Sequence, residues 1–229
     1  TVLNGSPMKI SKRESQRLAR RAQIIAVARE QFFEQGYDGT SMSAIASALG
    51  GSKGTLWSYF PSKEHLFAAV VEDTAAGIRG GLDVSAEGTP LEALTRLSRS
   101  VIDRATSPIV QQMQRLVSPI ADRNPEIGRM FYERGPGRTQ VMIGEYLRTH
   151  FSDLLWTTDY LEAGKDLVAL AAAQFHFEGL WGIGSTISTK DKDARARYAS
   201  IMFLRAHAKE PDALLAEVKN LPLLPVGPL

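Results

Sequence analysis

The sequence predicts an all-α protein, and three observations lead to this prediction. Apolar residues recur at steps of three and four along the N-terminal part of the chain, as on one face of a helix. Proline and glycine divide the remainder into runs of helical length, and no run alternates apolar and polar residues as a strand does. The chain has 229 residues, of which 44% are hydrophobic, 23% are charged and none is cysteine. This composition is typical of a globular protein and excludes disulfide scaffolds and thiolate metal sites.

Three helices are predicted near the N-terminal end, the first of them over residues 15–35. Gly36 ends this helix, and Thr40 or Ser41 caps a short second helix that a pair of glycines ends after about two turns. A third helix is predicted over residues 53–60, between a capping serine and a proline. Two short helices joined by a glycine-containing turn are the sequence form of a helix-turn-helix. The apolar stripe of the first helix consists of Leu18, Ala22, Ile25, Ala28 and Phe32.

The rest of the chain is predicted to be a series of longer helices. Ser62 caps the first of them, and a turn-rich break follows at residues 83–90. The two ends are predicted to lie outside the helices, residues 1–14 as a flexible basic arm and residues 216–229 as a proline-rich irregular tail. The later helices are expected over residues 91–105, 108–121, 125–150, 159–184 and 191–208.

Charge is distributed unevenly along the chain. Residues 1–65 hold nine basic and five acidic side chains, a net charge of +4, whereas the remaining 18 basic and 20 acidic side chains give −2. Such a basic segment is the electrostatic footprint expected of phosphate contact. A solvated terminal face is the alternative interpretation.

The third predicted helix suits a DNA groove. Gly54 costs stability in a helix interior, and close approach of a partner would offset that cost. Leu56 and Phe60 lie four residues apart and are expected to face the core, which leaves polar and aromatic side chains pointing outward. The alternative is that Trp57 and Tyr59 only pack against the protein, and that the nearby lysines are only solvated.

The residues that form this predicted helix-turn-helix resemble a known family. The runs TSMSAIA at residues 40–46 and GGSKGTLWSYFPSKEHL at residues 50–66 look like the DNA-binding signature of the TetR family of bacterial transcriptional repressors. The resemblance covers residues 24–71. Two positions depart from the pattern: Gly51 stands where a small aliphatic residue is usual, and Trp57 where a tyrosine is usual.

The resemblance implies about nine helices, with a DNA-binding head at residues 15–62 and a ligand-binding and dimerisation body at residues 63–215. It also implies that the protein is a ligand-responsive repressor, which binds a palindromic operator as a dimer and is released by a small molecule. Lys12, Arg13 and Arg17 would add contacts from the arm. The DNA contacts implied by position are Ser41, Ser43, Ser52, Lys53, Gly54, Thr55, Trp57, Ser58, Tyr59 and Lys63.

The predicted helix over residues 159–184 is apolar on both sides, so we expect one side to pack on its own core and the other on a partner chain. A homodimer of this kind is what the family forms, through two helices from each chain. The alternative is that both stripes are monomer core. The predicted interface residues are Val168, Ala172, Phe175, Tyr198, Ile201, Met202 and Arg205.

A pocket for a largely apolar effector is predicted from composition alone, because bulky apolar and amphipathic side chains are the usual lining of such a cavity. Each residue is individually more typical of core than of a ligand contact. The candidate lining is Met113, Met130, Phe131, Met142, Trp156, Phe175, His176 and Trp181.

Catalysis and membrane insertion find no support in the sequence. The four histidines are scattered, no dinucleotide or phosphate-loop motif is complete, and we expect no enzyme activity, cofactor or metal site. Gln174, His176 and Glu178 interrupt the longest apolar stretch, so we expect a cytoplasmic protein without a membrane span. The second interpretation of function is a helical ligand-binding or scaffold protein with only non-specific affinity for DNA, and an activator is also possible.

Overall fold

The computed structural model describes residues 11–50, 53–79, 81–183 and 187–219. Within this part of the chain there is no β-strand, and the pairing of Leu155 with Ala208 is an isolated bridge. The all-α prediction is therefore confirmed. The described ranges hold eleven helical segments where about nine were expected, because one predicted helix is divided and a single turn is added near the end. They are α1 Lys12–Gly39, α2 Met42–Ala48, α3 Lys53–Tyr59, α4 Lys63–Arg79, α5 Pro90–Ala105, α6 Pro108–Ala121, α7 Pro125–Arg134, α8 Pro136–Phe151, α9 Tyr160–Trp181, α10 Thr189–His207 and α11 Pro211–Leu214.

Two compact units make up the chain, unit 1 over Thr1–Asp73 and unit 2 over Thr74–Leu229. The boundary expected from the sequence, at residues 62 and 63, lies about ten residues earlier. The reason is that the first turns of α4 bury Leu66, Phe67 and Val70.

Helix α1 begins earlier than predicted. The Ser11 side chain accepts a hydrogen bond from the Glu14 backbone amide and caps the helix, so the predicted arm is already helical from Lys12. Leu18 is expected in the apolar stripe but is 53% exposed, because the first turns of α1 carry only exposed residues up to position 19. Residues 1–10 of the arm and 220–229 of the tail lie outside the described residues.

The predicted helix over residues 125–150 is two helices. Gly135 has the non-helical angles φ −110° and ψ −99° and separates α7 from α8. Pro136 then occupies the first turn of α8, where a missing backbone N–H costs nothing.

The core of unit 2 lies between α5, α8, α9 and α10. Leu94, Leu97, Ile143, Leu147 and Phe203 are fully buried in it. A buried pair of hydroxyls, Ser98 on α5 and Ser200 on α10, is hydrogen-bonded at 3.1 Å, which satisfies the polar groups in this apolar interior.

Helices α8 and α9 cross with their backbones in contact. A β-carbon placed on Gly164 would lie 2.8 Å from the Gln140 carbonyl oxygen and 2.9 Å from the Gly144 nitrogen. A β-carbon on Gly144 would lie 2.8 Å from the Tyr160 carbonyl oxygen. Neither position can accept a side chain unless the two helices move apart.

We expect Gly164→Ala to destabilise unit 2 by about 1–3 kcal/mol, the usual cost of overpacking a core. Thermal unfolding of the full chain should show a melting temperature lower by several degrees, at roughly 2–4 °C per kcal/mol. Gly77→Ala is the matched control, because a β-carbon there meets nothing within 4 Å and alanine favours the helix. Equal melting temperatures for the two variants would contradict the backbone contact.

Candidate nucleic-acid interface

The C-terminal end of α1 is held by three aromatic rings in unit 1. Phe32 and Tyr37 stack with ring centroids 5.8 Å apart, and Phe67 of α4 meets each of them edge-on at 5.0 Å. Gly36, with φ 74°, turns the chain between Phe32 and Tyr37. A side chain at this position would be strained, so glycine is what lets Tyr37 fold back onto Phe32.

Buried Thr40 sets the direction in which the chain enters α2. Its hydroxyl donates to the carbonyl oxygens of Gly36 at 2.8 Å and Gln31 at 3.0 Å, one bond at a time or shared between them. Ser41 then caps α2 by accepting a hydrogen bond from the Ala44 amide at 3.1 Å. Ser41 is exposed and Ser43 is half-buried, both near the start of this helix.

The turn between α2 and α3 is partly described. Gly50 has φ 61°, as a tight turn after a helix requires. The Leu49 carbonyl accepts a hydrogen bond from the Arg20 guanidinium at 3.5 Å. Gly51 and the predicted contact Ser52 lie outside the described residues.

Helix α3 has one buried and one exposed face. Leu56 is 2% exposed, and Phe60, which follows the helix, is 3% exposed, so their predicted place in the core is confirmed. Trp57 is 43% exposed in the single chain. Tyr59 is half-buried. The predicted contacts that share the exposed face with Trp57 are Lys53, Gly54, Thr55 and Ser58.

The ammonium group of Lys63, a predicted DNA contact, is hydrogen-bonded within the protein. Its ammonium donates to the Tyr37 carbonyl at 2.9 Å and the Thr40 carbonyl at 3.1 Å, and lies 4.3 Å from the centroid of the Tyr37 ring. The Tyr37 hydroxyl donates to Glu64 at 3.2 Å. A hydrogen bond with the Ser62 side chain is the largest cause that lowers the pKa of Glu64, whereas burial, with the adjacent Glu64 charge, raises the pKa of Tyr37.

These four residues, Tyr37, Thr40, Lys63 and Glu64, form what we call the α1–α4 junction. Sequence patterns do not predict it. The only traces of the junction in the sequence are a tyrosine directly after Gly36 and two adjacent, oppositely charged residues in the first turn of α4. Side-chain pairing over 23 to 27 residues cannot be deduced from such local cues.

The eight residues predicted to line an effector pocket differ in burial. Trp156 is 63% exposed, where its indole N–H donates to the Ala206 carbonyl and its ring stacks on His207. Trp181 is 68% exposed at the end of α9 and stacks on Phe177. Both of these predicted residues are therefore exposed in the single chain. Met113 and Phe175 are buried, Met130, Phe131 and Met142 are half-buried, and His176 is exposed.

The predicted interface residues divide between the core and the surface. Ala172, Phe175 and Ile201 belong to the core of unit 2, and Ile201 is fully buried there. The remaining predicted residues are accessible: Val168, Tyr198 and Met202 are half-buried and Arg205 is exposed.

Gln114 is a buried polar group that was not predicted from the sequence. Its side chain is buried between α6 and α9 at 6% exposure, and its amide nitrogen lies 2.9 Å from Nδ1 of His176. Its amide oxygen has no hydrogen-bond partner among the residues that the structure describes. The only sequence signal is a glutamine next to Met113 on the apolar side of a helix.

Membrane-spanning helices and metal-ligand clusters are both absent from the described residues. None of the helices there is long and apolar enough to cross a membrane. No group of three or more metal-ligating side chains occurs in this part of the chain.

A short exposed helix that follows a glycine turn, carried on a compact three-helix core, defines a helix-turn-helix DNA-binding protein. The family model for bacterial regulatory proteins of the tetR family matches residues 24–70. The model for the C-terminal domain of AefR-like transcriptional repressors matches residues 92–209, more than half of the chain. The protein belongs to the TetR family of transcriptional regulators, whose members are DNA-binding regulators and not enzymes.

Solved structures extend the similarity to both units. The flavonoid-responsive regulator FrrA is 30% identical, with a TM-score of 0.74 over 83% of this chain and 98% of that one. A TetR-family transcriptional regulator from Mesorhizobium loti is 28% identical, with a TM-score of 0.74 over 84% of this chain and 98% of that one.

Curated relatives match over a shorter length. The repressor AcnR of Corynebacterium diphtheriae is 37% identical over 57 residues, which are 25% of this chain and 30% of that protein. The activator FasR of Mycolicibacterium smegmatis is 37% identical over 67 residues, 28% of this chain and 31% of that protein. The match spans less than a third of either relative.

We expect Lys53→Met to weaken binding to duplex DNA and to lower the slope of log affinity against log salt by about 0.9 for each phosphate that the side chain neutralises. Lys53 is exposed at the start of α3, so the melting temperature should not change. Titration of a labelled duplex at several salt concentrations measures this slope. Arg129→Met is the control, because Arg129 is an exposed cation of unit 2. An equal change of slope in both variants would contradict a contact at α3.

Proposed function

We propose that the protein is a dimeric repressor, which binds a palindromic operator through α3 and leaves it when unit 2 binds a small molecule. The observation that carries the DNA-binding part is the exposed face of α3, where Lys53, Thr55, Trp57 and Ser58 point away from a helix whose Leu56 is buried. A cation, two hydroxyls and an indole are groups that reach phosphates and base edges in a major groove.

The arm supports the same proposal. Lys12, Arg13 and Arg17 are exposed on the first turns of α1, where they add positive charge to the head. Such cations bind phosphates without regard to sequence and would contribute the larger part of the salt dependence. Sequence discrimination is left to α3.

A homodimer is supported by the accessible faces of α9 and α10. Ala169, Ala173, Phe177 and Leu180 recur at steps of four, four and three along α9, and Phe177 is 51% exposed. Tyr198, Met202 and Arg205 are accessible on α10. The aromatic, methionine and arginine side chains of this set are the types enriched at protein interfaces. Two copies would present two α3 helices, which suits half-sites roughly 34–36 Å apart.

An effector site is supported by Gln114. A buried amide oxygen without a partner costs about 1–3 kcal/mol, and a ligand hydroxyl could satisfy it. FrrA, whose name describes it as flavonoid-responsive, aligns with the chain over both units, and flavonoids carry aromatic hydroxyls. We propose a largely apolar, hydroxylated effector that contacts Gln114, His176 and the neighbouring Met113 and Phe175. Release requires that the effector bind the released conformation more tightly, and we assign the coupling to a shift of α4.

Selection from a random duplex pool at near-physiological salt tests the proposed function. We expect a palindrome with two half-sites to be enriched by the full chain. Binding without enrichment that disappears as salt rises would overturn the proposal and favour a helical protein with only non-specific DNA affinity. Placing the selected operator at a promoter then distinguishes repression from activation by the direction of the change in transcription.

We expect Phe177→Glu to dissociate the dimer, because it places a charge on the proposed interface. Phe177 is 51% exposed in the single chain, so the variant should fold. Sedimentation equilibrium should report a monomer, and operator affinity should fall. Val84→Glu is the control, since Val84 is 48% exposed in the connection before α5. If the Phe177→Glu variant still sediments as a dimer and its operator affinity is unchanged, the interface lies elsewhere.

We expect Gln114→Leu to weaken effector binding roughly tenfold, the effect of removing one buried hydrogen bond, while operator affinity stays unchanged. Release of a labelled operator by hydroxylated flavonoids, each tested separately, measures this change. Gln112→Leu, at an exposed position of the same helix, is the control. Flavonoids that release the operator equally well from both variants would contradict the role of Gln114.

A further inference from the structure

The carbonyl groups at the end of α1 meet a cation from α4. The Tyr37 carbonyl accepts the backbone N–H of Thr40 at 3.3 Å, and Thr40 itself follows α1 with the extended angles φ −87° and ψ 130°. Here the Lys63 ammonium supplies donors to the Tyr37 and Thr40 carbonyls, at 2.9 Å and 3.1 Å. Two of its three N–H groups are therefore directed into the protein. The Tyr37 ring, 4.3 Å from the nitrogen, adds a cation–π contact.

Adjacent residues of α4 hold Tyr37 at both of its ends. Lys63 binds its carbonyl and its ring, and Glu64 accepts a hydrogen bond from its hydroxyl at 3.2 Å. Lys63 also binds the carbonyl of Thr40, the residue from which the chain passes into α2. The α1–α4 junction thus fixes the start of the segment that carries α2 and α3.

We propose that Lys63 is a positioning residue, which supports DNA binding by fixing the entry to α2 on the first turn of α4, and not by a charge contact with a phosphate. This assignment differs from the DNA contact that the sequence resemblance implies for Lys63. It rests on the proposed DNA binding of unit 1. The occupied hydrogen bonds of the ammonium and its half-buried position support it.

Three variants of the full chain test this role: Lys63→Met, Lys63→Arg and, as a control, Lys53→Met. Operator affinity is measured at several salt concentrations, at a temperature where every variant is folded by circular dichroism. For Lys63→Met we expect affinity to fall by about tenfold with the wild-type salt slope, because the variant removes hydrogen bonds to a charged group and leaves every phosphate contact in place. Lys53→Met should instead lower the slope by about 0.9 for each phosphate that Lys53 neutralises.

Lys63→Arg separates geometry from charge. Guanidinium binds phosphate at least as well as ammonium does, so a phosphate contact predicts wild-type affinity for this variant. If the two carbonyls and the ring instead form a site that fits only an ammonium, the operator affinity of Lys63→Arg should fall nearly as much as that of Lys63→Met. This variant keeps the charge and tests the proposal even if Lys63→Met does not fold.

Three results would overturn the proposal, and the first is wild-type affinity of Lys63→Arg, which a phosphate contact predicts. A salt slope lowered by Lys63→Met as much as by Lys53→Met would show a phosphate contact. Unchanged affinity of the folded Lys63 variants, with only a lower melting temperature, would show a purely structural role. A wild-type chain that enriches no duplex would overturn the proposed function itself, which is a separate result because it is seen without any variant.

Discussion

The way the backbone leaves α1 is the constraint on which the DNA-binding head depends. Gly36 turns the chain, Tyr37 packs onto Phe32 and Phe67, and the Thr40 hydroxyl donates to the carbonyls of Gly36 and Gln31. These contacts lie in a few residues, but they set the direction of α2 and hence of α3. An aromatic cluster supplies the burial, whereas the hydrogen bonds supply the direction. Because apolar contacts are not directional, the rings alone would allow several entry angles.

The structure of unit 2 depends on close packing between helices. The glycines at the crossing of α8 and α9 bring two backbones together, and α9 is thereby buried along one side. The other side of the same helix keeps Phe177 and Trp181 in solvent, where their rings stack with centroids 5.7 Å apart. This helix, apolar on both sides, is thus buried on one side and exposed on the other in the single chain.

Much of the fold could be predicted from the sequence, because caps, breaks and apolar spacing are local signals. They placed α2 and α3 within a few residues and assigned Leu56 and Phe60 to the core.

Spacing shows which side of a helix is apolar, but not which neighbour covers it. For this reason Ile201 is predicted at an interface although α10 buries it in its own unit. Residue size does not predict burial, since Trp156 is 63% exposed and its indole N–H donates to the Ala206 carbonyl. The occupied ammonium of Lys63 depends on contacts distant in sequence.

The early start of α1 has an energetic consequence for any polyanion that binds there. Residues 12–19 are helical and all exposed, so neighbouring side chains give these turns little support beyond the Ser11 cap. An isolated stretch of this length is only marginally helical in water, and the close spacing of Lys12, Arg13 and Arg17 adds repulsion. These turns are therefore the part of α1 that neighbouring side chains support least. Neutralising the cations would remove their repulsion and favour the helix, so part of the binding free energy would be spent on conformational ordering.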